Sequence, residues 1–370
     1  MNIGFDAKRA LFNRSGLGNY SRSTLRLLSR YFPDNRYFLF TGKQSNNLFL
    51  PSGNQTFVGP DTFGYSVLPA IWRTFGMNNE INQTHLDVFH GLSNELPWNI
   101  NKTNVKSVVT IHDLIFLRYP EYYSLIDRNI YSAKFSHACR IADKIIATSE
   151  STKQDIIRFF GTEASKIEVV YQTCDPIFRI PADELTKEEV RRKYDLPEQY
   201  ILYVGTIEKR KNALTLVKAY LNKKTDIPLV LVGKPTPYLA EIKKFLLHKS
   251  DSNRVLFRHN IETPDLPVVY QSARVFVYPS LFEGFGIPIV EALLSGVPII
   301  TSNGSCFGET AGEAAMYCDP FDVDQMGDCI HTILNEPETR EQMISKGFLQ
   351  ATRFSEEVVA SNLMGVYTNL

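Results

Sequence analysis

Short apolar runs alternate with longer stretches of helical character along almost the whole chain. Many of these runs are apolar at successive positions, as strands are when helices cover both faces of a parallel sheet. The pattern predicts strands at 3–5, 36–40, 88–89, 106–111, 144–148 and 167–170, and then at 200–204, 229–232, 255–257, 275–278 and 297–301. This alternation predicts the α/β class, with doubly wound, Rossmann-like domains.

A stretch without a strand pattern separates the two series of strands. It contains Pro181 and a charged segment, which together indicate a linker and one polar helix. We therefore expect domains at 1–178 and 195–350, with a helical tail at about 352–370; a chain of 370 residues fits two such domains. Because open sheets bind ligands at the carboxyl ends of their strands, we expect the two domains to face each other across a ligand-binding cleft.

Composition narrows the class of protein. The 40 Lys and Arg residues balance the 40 Asp and Glu residues, so the net charge of zero argues against wholesale nucleic-acid binding. The five cysteines are scattered without a Cys-x-x-Cys pair, which predicts reduced thiols in a cytosolic protein. The first residues lack the apolar core of a signal peptide, and no apolar run is long enough to span a bilayer. These observations predict a cytoplasmic protein.

The most specific motif lies in the second series, directly after the apolar run 275–278. Gly284 and Gly286 form a glycine loop, and Pro288 suits the first turn of a following helix. A strand, a glycine loop and a helix N-terminus together predict a phosphate-binding site. Glu283 and Glu291 flank this loop, and carboxylates are better partners for sugar hydroxyls than for phosphates. The pair therefore suggests a sugar nucleotide; the alternative is an ordinary strand-to-helix turn with solvated glutamates.

A basic pair follows the first strand of the second series. Arg210 and Lys211 belong to the sequence Gly-Thr-Ile-Glu-Lys-Arg-Lys-Asn, at the carboxyl end of that strand. Two cations in such a loop can hold a diphosphate and neutralise it as a leaving group. A solvated run of charges is the simpler alternative.

Two histidines end apolar runs of the first series. His112 is followed by Asp113 in the sequence Thr-Ile-His-Asp, and His90 ends the run before it. Each histidine could contact a ligand at the sheet edge or be a satisfied structural residue. For His90 we expect either an acceptor-side or a structural role, while Asp113 could orient the His112 ring or cap the next turn.

Two further motifs are weaker. The segment Ser-Gly-Leu-Gly-Asn-Tyr, with Gly16 and Gly18, follows the first strand like a dinucleotide fingerprint, but Ser21 replaces the third glycine. An NAD-binding loop and a plain turn are both open interpretations. Asp322 and Asp324 form an Asp-x-Asp pair of the kind that holds a metal in other sugar-nucleotide enzymes. Because they precede a helical run, we predict a helix cap and no essential metal.

Together these motifs resemble the family-4 glycosyltransferases, whose GT-B fold consists of two Rossmann-like domains. The resemblance covers nearly the whole chain, including the segments Thr-Ser-Glu-Ser after residue 147 and Ala-Gly-Glu-Ala-Ala-Met-Tyr-Cys-Asp-Pro after residue 310. It is nearest to bacterial mannosyltransferase-like members that build surface polysaccharide, and it implies that the C-terminal helix joins the first domain. Thr206 stands where many members carry arginine, and His259 stands where most carry glycine, near the nucleotide base.

The resemblance implies transfer of a hexose, with retention of anomeric configuration, from a nucleoside diphosphate sugar to a hydroxyl. GDP-mannose is the expected donor and a glycan or lipid-linked glycan the expected acceptor; a UDP-sugar is the alternative donor. It implies catalytic roles for His112, Glu283, Arg210 and Lys211. It implies donor binding by Gly16, Gly18, Thr206, Phe285, Gly286, Ile287 and Glu291.

No cofactor beyond the donor substrate is expected. Peripheral contact with the inner face of the cytoplasmic membrane is a further expectation, for which Trp72, Arg73 and Phe75 could provide an amphipathic surface, although a buried helix explains them equally well. No nucleophile for a double displacement is evident, so we favour attack on the same face as the leaving phosphate. Two other classes stay open: an NAD-dependent enzyme and a sugar-nucleotide-binding protein without activity.

Overall fold

The chain folds into two compact units, each built on one parallel β-sheet. The computed structural model describes residues 1–43, 45, 47–61, 68–223 and 225–370. The first unit comprises Met1–Gln172 and Glu356–Leu370, and the second comprises Thr173–Ser355. The predicted α/β class is therefore confirmed.

The first sheet has seven strands in the order β3-β2-β1-β4-β5-β6-β7, and the second has six in the order β10-β9-β8-β11-β12-β13, with parallel pairing throughout. The strands of the first sheet are β1 Asn2–Asp6, β2 Arg36–Phe40, β3 Gln55–Val58, β4 Val88–Gly91, β5 Lys106–Ile111, β6 Lys144–Ala147 and β7 Ile167–Val169. Those of the second are β8 Tyr200–Val204, β9 Leu229–Val232, β10 Val255–Arg258, β11 Ala273–Tyr278, β12 Ile299–Ser302 and β13 Ala315–Cys318. In both sheets the order reverses beside the first strand of the unit, as in doubly wound nucleotide-binding folds.

Sixteen α-helices are described, and shorter 3₁₀ turns complete many of the connections. In the first unit they are Lys8–Phe12, Gly16–Tyr31, Pro69–Ile71, Asn78–Gln83, Ile115–Arg118, Leu125–Ile141, Glu150–Phe160 and Glu356–Thr368. In the second they are Glu184–Tyr194, Ala213–Asn222, Tyr238–Leu246, Leu266–Gln271, Ile287–Leu294, Phe307–Ala311, Val323–Asn335 and Pro337–Ala351. Among the residues that the structure describes, no helix combines the length and the apolar character that a bilayer crossing demands.

Strands β3 and β13 were not predicted, and both lie at an edge of their sheet. Gln55 and Thr56 make half of β3 polar, and three of the four residues of β13 are only partly buried. An edge strand has one neighbouring strand and less cover, so its sequence carries a weaker apolar pattern. The missed strands are those for which the local signal is weakest.

Apolar cores cover both faces of the first sheet. Val108 and Ile146 belong to one buried cluster, whereas the adjacent Val109 and Ile145 belong to another. This alternation follows from the two-residue period of a strand. The C-terminal helix Glu356–Thr368 packs into the first of these clusters and so belongs to the first unit.

A buried polar network joins that C-terminal helix to the sheet. The hydroxyl of Tyr367 lies 2.6 Å from Nδ1 of His90, and Nε2 of His90 lies 2.8 Å from Oγ1 of Thr110. The hydroxyl of Tyr20 lies 3.0 Å from the same Thr110 oxygen. Burial lowers the pKa of His90 to about 3, with a smaller contribution from His112, so its ring is neutral at pH 7. His90 therefore has the structural role, one of the two that its position suggested.

The segment proposed as an amphipathic surface is mostly inward-facing. It forms the π-helix Trp72–Gly76, in which Trp72 is 1% exposed and Arg73 is ion-paired with Asp6 at 2.6 Å. Phe75, at 54% exposed, is the one of the three that lies on the surface. Burial thus explains Trp72 and Arg73, whereas Phe75 is exposed.

We expect Tyr367→Phe to lower the free energy of unfolding by about 1–3 kcal/mol, because it leaves a buried ring nitrogen of His90 without its partner. Equilibrium unfolding in urea measures this change. Tyr131→Phe is the matched control in the same unit, since the Tyr131 ring is 37% exposed. Equal stability of the two variants would contradict a structural role for the network.

Candidate functional site

Strand order brings the basic pair and the glutamate loop together in the second unit. Strands β8 and β11 are neighbours at the point where the strand order reverses. The loop after β8 contains the 3₁₀ turn Lys209–Lys211, and the loop after β11 leads into the helix Ile287–Leu294. A backbone hydrogen bond of 2.8 Å, from Leu281 N–H to the carbonyl of Arg210, joins the two loops. Open α/β sheets bind ligands at this position.

Glu283 lies at the centre of this arrangement. Its Oε1 lies 2.9 Å from both Lys211 Nζ and Arg210 Nη1, and it also accepts from Tyr278 at 2.9 Å and Ser280 at 2.7 Å. The side chains of the three charged residues are only 12–14% exposed. Within the described chain, no residue donates a hydrogen bond to the second oxygen, Oε2. One carboxylate oxygen thus organises the cations while the other stays open to a ligand.

Charge pairing sets the protonation states here. Burial by itself would raise the pKa of Glu283, but Arg210 and Lys211 outweigh burial and hold that pKa well below its usual range. Likewise, burial lowers the pKa of Arg210, but Glu283 and Glu208 together raise it above its ordinary value. Glu208 accepts from Arg210 Nη2 at 2.7 Å. The Glu283 carboxylate and the Arg210 guanidinium are therefore charged at neutral pH, and a guanidinium is a strong partner for a diphosphate.

The glycine loop has the predicted form. Gly286 has a φ of 90° and precedes the helix Ile287–Leu294, and only glycine adopts this backbone conformation without strain. The buried ring of Phe285 packs on Phe354 at 5.4 Å, and its carbonyl accepts from Thr310 Oγ1 at 2.7 Å. These contacts hold the helix N-terminus beside Glu283, where backbone N–H groups and the helix dipole favour an anion.

Glu291 lies in the same helix, Ile287–Leu294, whose other residues are all apolar. Its Oε2 accepts a 2.8 Å hydrogen bond from the hydroxyl of Tyr270. Burial raises the pKa of Glu291 to about 7, although Tyr270 and Lys211 both act to lower it. The side chain therefore changes charge near neutral pH, and in either form it can accept a hydrogen bond from a hydroxyl.

Thr206 lies next to the basic pair. Its carbonyl accepts from the buried hydroxyl of Tyr203 at 3.1 Å. A Cβ placed on the preceding Gly205 would lie 3.1 Å from Cδ of Lys211, so the lysine stem passes directly over this backbone. Of the predicted residues of the second unit, Arg210 and Lys211 contact Glu283 directly, and the backbone before Thr206 lies against the Lys211 stem.

His112 belongs to the first unit and follows β5. Its backbone N–H donates to Asn94 Oδ1 at 2.8 Å, and its Nε2 lies 2.9 Å from the carbonyl of Leu92. A carbonyl can only accept, so Nε2 carries the proton and Nδ1 is left as an acceptor. Burial lowers the pKa of His112 to about 4, so the ring is neutral at pH 7.

The Gly-x-Gly segment opens a helix, but the helix Lys8–Phe12 separates it from β1, whereas a dinucleotide fingerprint directly follows its strand. Gly16 and Gly18 lie in the first turn of the helix Gly16–Tyr31. A Cβ on Gly18 would lie 1.8 Å from the carbonyl oxygen of Asn13, so glycine is needed there for close backbone packing. Gly16 has open space around it. From the same helix, the ring of Tyr20 contacts His112 edge-on at 4.6 Å between ring centroids, which places this helix beside the histidine.

The Asp-x-Asp pair is a helix cap, as predicted. Oδ1 of Asp322 accepts from the backbone N–H groups of Asp324 and Gln325, at 3.0 and 2.9 Å. Within the described ranges, no group of three or more His, Cys, Asp or Glu side chains has a metal-binding arrangement.

Sequence reasoning missed the neutral members of the site. Tyr278, Ser280 and Tyr270 all reach the two glutamates through their hydroxyls. Tyr278 looked like an ordinary strand end, and Tyr270 lies in a separate short helix. The position of Ser280, two residues beyond a buried strand and three before Glu283, was the one available signal.

Comparison with known proteins places this geometry in a family. Residues 186–350 match the family described as "Glycosyl transferases group 1", and residues 16–177 match "Glycosyltransferase Family 4". The O-antigen chain mannosyltransferase B of Escherichia coli is 34% identical over 288 residues, which are 76% of this chain and 74% of that protein.

Solved structures show the same fold over the whole chain. Sucrose-phosphate synthase from Thermosynechococcus elongatus superposes with a TM-score of 0.79 at 22% identity, covering 100% of this chain and 98% of its own. HepE from Anabaena, in complex with UDP and glucose, superposes with a TM-score of 0.76 at 16% identity, covering 100% and 99%. At these identities the likeness shows the fold, which is the predicted GT-B fold.

The raised pKa of Glu291 makes stability depend on pH. Because the folded state holds this proton up to about pH 7 and the unfolded state releases it near 4.5, stability is lost as pH rises between these values. We expect this loss to be absent in Glu291→Gln. Between pH 5 and pH 8, the free energy of unfolding of the variant should therefore rise by on the order of 2 kcal/mol relative to that of the unsubstituted protein. Urea unfolding at both pH values measures it.

The exposed Glu341→Gln is the matched control in the same unit and should follow the unsubstituted protein at both pH values. Parallel pH dependence in Glu291→Gln and the unsubstituted protein would show that Glu291 is ionised in the fold at pH 5.

Proposed function

Because the chain belongs to family 4 of the glycosyltransferases, we propose that it transfers mannose from GDP-mannose to a hydroxyl of a glycan or lipid-linked glycan. The similarity to an O-antigen chain mannosyltransferase supports the choice of sugar and of a surface polysaccharide as the product. The observation that carries the proposal is the contact of Glu283 Oε1 with both Arg210 and Lys211.

The leaving diphosphate is the group that needs most stabilisation during transfer. In the proposed mechanism Arg210 and Lys211 neutralise it, together with the helix N-terminus at Gly286 and Ile287. Glu283 keeps both cations in place through Oε1 and accepts a sugar hydroxyl at Oε2. Glu291 accepts from the ribose hydroxyls. Each role uses an atom that the described contacts leave available or hold charged.

Retention of anomeric configuration is part of the proposal. The acceptor hydroxyl attacks on the face from which the diphosphate departs, and the leaving phosphate oxygen takes the hydroxyl proton. The new glycosidic bond forms as the bond to the diphosphate breaks. His112, neutral and with Nδ1 as an acceptor, suits a hydrogen bond from a hydroxyl of the sugar better than proton donation. Trapping of a glycosyl-enzyme adduct would contradict this route.

A UDP-sugar is the second candidate donor. The structure of HepE contains UDP and glucose. The family resemblance implies that His259 lies near the nucleotide base, at a position where most members carry glycine. His259 Nδ1 lies 2.6 Å from the carbonyl of Gly233, so its ring is held against the second sheet.

The proposal has three further parts. Transfer needs no metal ion, the protein is located in the cytoplasm, and it makes peripheral contact with the inner membrane.

Binding of nucleotides tests the donor site. We expect one nucleoside diphosphate among GDP, UDP and ADP to raise the melting temperature, equally with and without Mg²⁺. At about 100 times its dissociation constant, a ligand adds about 2.7 kcal/mol to the folded state. GDP-mannose should give the largest shift among the sugar nucleotides, and a shift with NAD alone would overturn the transferase proposal.

Lys211→Ala should lower kcat by roughly 100- to 1000-fold, because it removes a cation from the developing diphosphate while Arg210 still balances Glu283. Lys209→Ala is the matched control: this neighbouring lysine is 62% exposed and pairs with Glu241 at 3.2 Å. Steady-state transfer assays measure both, and NMR of the product establishes its anomeric configuration. Equal rates in the two variants would remove Lys211 from the mechanism, and nucleotide binding without turnover would indicate a binding protein.

A further inference from the structure

Four donors converge on one oxygen of Glu283, and two of them carry no charge. The charged donors are Arg210 and Lys211, each 2.9 Å from Oε1. The uncharged donors are the hydroxyls of Tyr278, at 2.9 Å, and Ser280, at 2.7 Å. A carboxylate oxygen has about two lone-pair directions, so the four donors compete for Oε1. The donors that are held most rigidly therefore fix the orientation of the carboxylate.

The two cations are less suited to fix that orientation. Lys211 carries its ammonium on a flexible chain of carbon atoms, so the ammonium can turn to a ligand. The guanidinium of Arg210 is shared between Glu283 and Glu208, which accepts from Nη2 at 2.7 Å. In the proposed transferase, on which this inference rests, both cations also bind the diphosphate. A bound diphosphate thus competes with Glu283 for these two donors.

Tyr278, by contrast, is fixed in place by the core of the second unit. It is the last residue of β11 and is 1% exposed. Its ring stacks on Phe276, with 5.8 Å between ring centroids, and lies edge-on to Phe307 at 6.1 Å. Ser280, two residues further along the chain, is fully buried. Because close packing confines buried side chains to single rotamers, these two hydroxyls are rigid donors.

The single proton of the Tyr278 hydroxyl is directed at Glu283. Burial, and then the carboxylate of Glu283, raise the pKa of Tyr278 well above its ordinary value, so the hydroxyl keeps its proton at neutral pH. An ionised carboxylate can only accept a hydrogen bond, and an ammonium can only donate one. The hydroxyl therefore donates to Oε1 and accepts from Lys211 Nζ at 2.8 Å. One neutral group thus joins the carboxylate to the ammonium.

We propose that Tyr278 is a positioning residue that directs Oε2 of Glu283 toward a hydroxyl of the transferred sugar. The hydroxyls of Tyr278 and Ser280 hold Oε1 while a diphosphate competes for Arg210 and Lys211. Oε2, which receives no hydrogen bond from the described residues, then keeps one direction with and without the ligand. Tyr278 thereby favours a nucleotide that carries the sugar over the bare nucleoside diphosphate.

Ligand affinities test this role. Tyr278→Phe should raise the dissociation constant of GDP-mannose roughly tenfold and that of GDP by less than about threefold. Isothermal titration calorimetry measures both constants, and UDP-glucose and UDP replace this pair if UDP is the nucleotide that binds. Tyr200→Phe is the matched control, because its buried hydroxyl also donates a hydrogen bond, to the carbonyl of Val269 at 2.7 Å. Tyr200 begins β8, at the opposite edge of the sheet, so its substitution should leave both constants within about twofold.

A double-mutant cycle with Glu283→Gln separates positioning from a general effect on the fold. In the Glu283→Gln protein, Tyr278→Phe should change the dissociation constant of GDP-mannose by less than about threefold, because the carboxylate through which it acts is absent. Ser280→Ala should show the same selective loss as Tyr278→Phe. Equal losses for GDP and GDP-mannose, or a tenfold loss that persists in the Glu283→Gln protein, overturn the positioning role.

The same titrations distinguish this inference from the proposed function. If the unsubstituted protein and Tyr278→Phe bind the sugar nucleotide equally well, the positioning role is overturned and the transferase proposal stands. If the unsubstituted protein binds neither GDP-mannose nor UDP-glucose, both are overturned.

Discussion

One oxygen atom of Glu283 organises the charged site of the second unit. It contacts a guanidinium and an ammonium from a loop 72 residues away, as well as two hydroxyls from its own strand and loop. Because all three charged side chains are largely buried, removal of Glu283 would leave two cations without their shared counter-charge in a poorly solvated place. The cations are thus held in position before a ligand arrives, and preorganised charge of this kind is what stabilises a leaving diphosphate most effectively.

Strand order makes this contact geometrically available. Both sheets reverse their order beside the first strand of the unit, and β8 and β11 become neighbours although β9 and β10 lie between them in sequence. The loops that follow β8 and β11 must then meet. In the first unit, Asp6, Lys8 and Lys43 lie at the carboxyl ends of β1 and β2 and line a cavity of about 260 Å³. The same parallel architecture thus places polar groups at the carboxyl end of each sheet.

Polar residues that follow buried strands can be recognised in the sequence, and Glu283, Arg210, Lys211 and His112 were predicted in this way. Their neutral partners could not, because Tyr278 fits an apolar strand and Tyr270 lies in another helix. Gly18 has a structural role that its glycine pattern did not reveal. The absence of a side chain there allows the helix to pack closely on the backbone of Asn13.

The sequence by itself determined the α/β class, the order of most strands and helices, the glycine loop and the kinds of charged group available for chemistry. Periodicity and turn chemistry are local properties, so they can be recognised in a single chain. Only the tertiary structure decided that Oε1 of Glu283 bonds both cations and that burial raises the pKa of Glu291. It also decided that the indole N–H of Trp72 is buried without a partner among the described residues. These properties depend on contacts between residues far apart in sequence and on the solvent that packing excludes, neither of which a local pattern records.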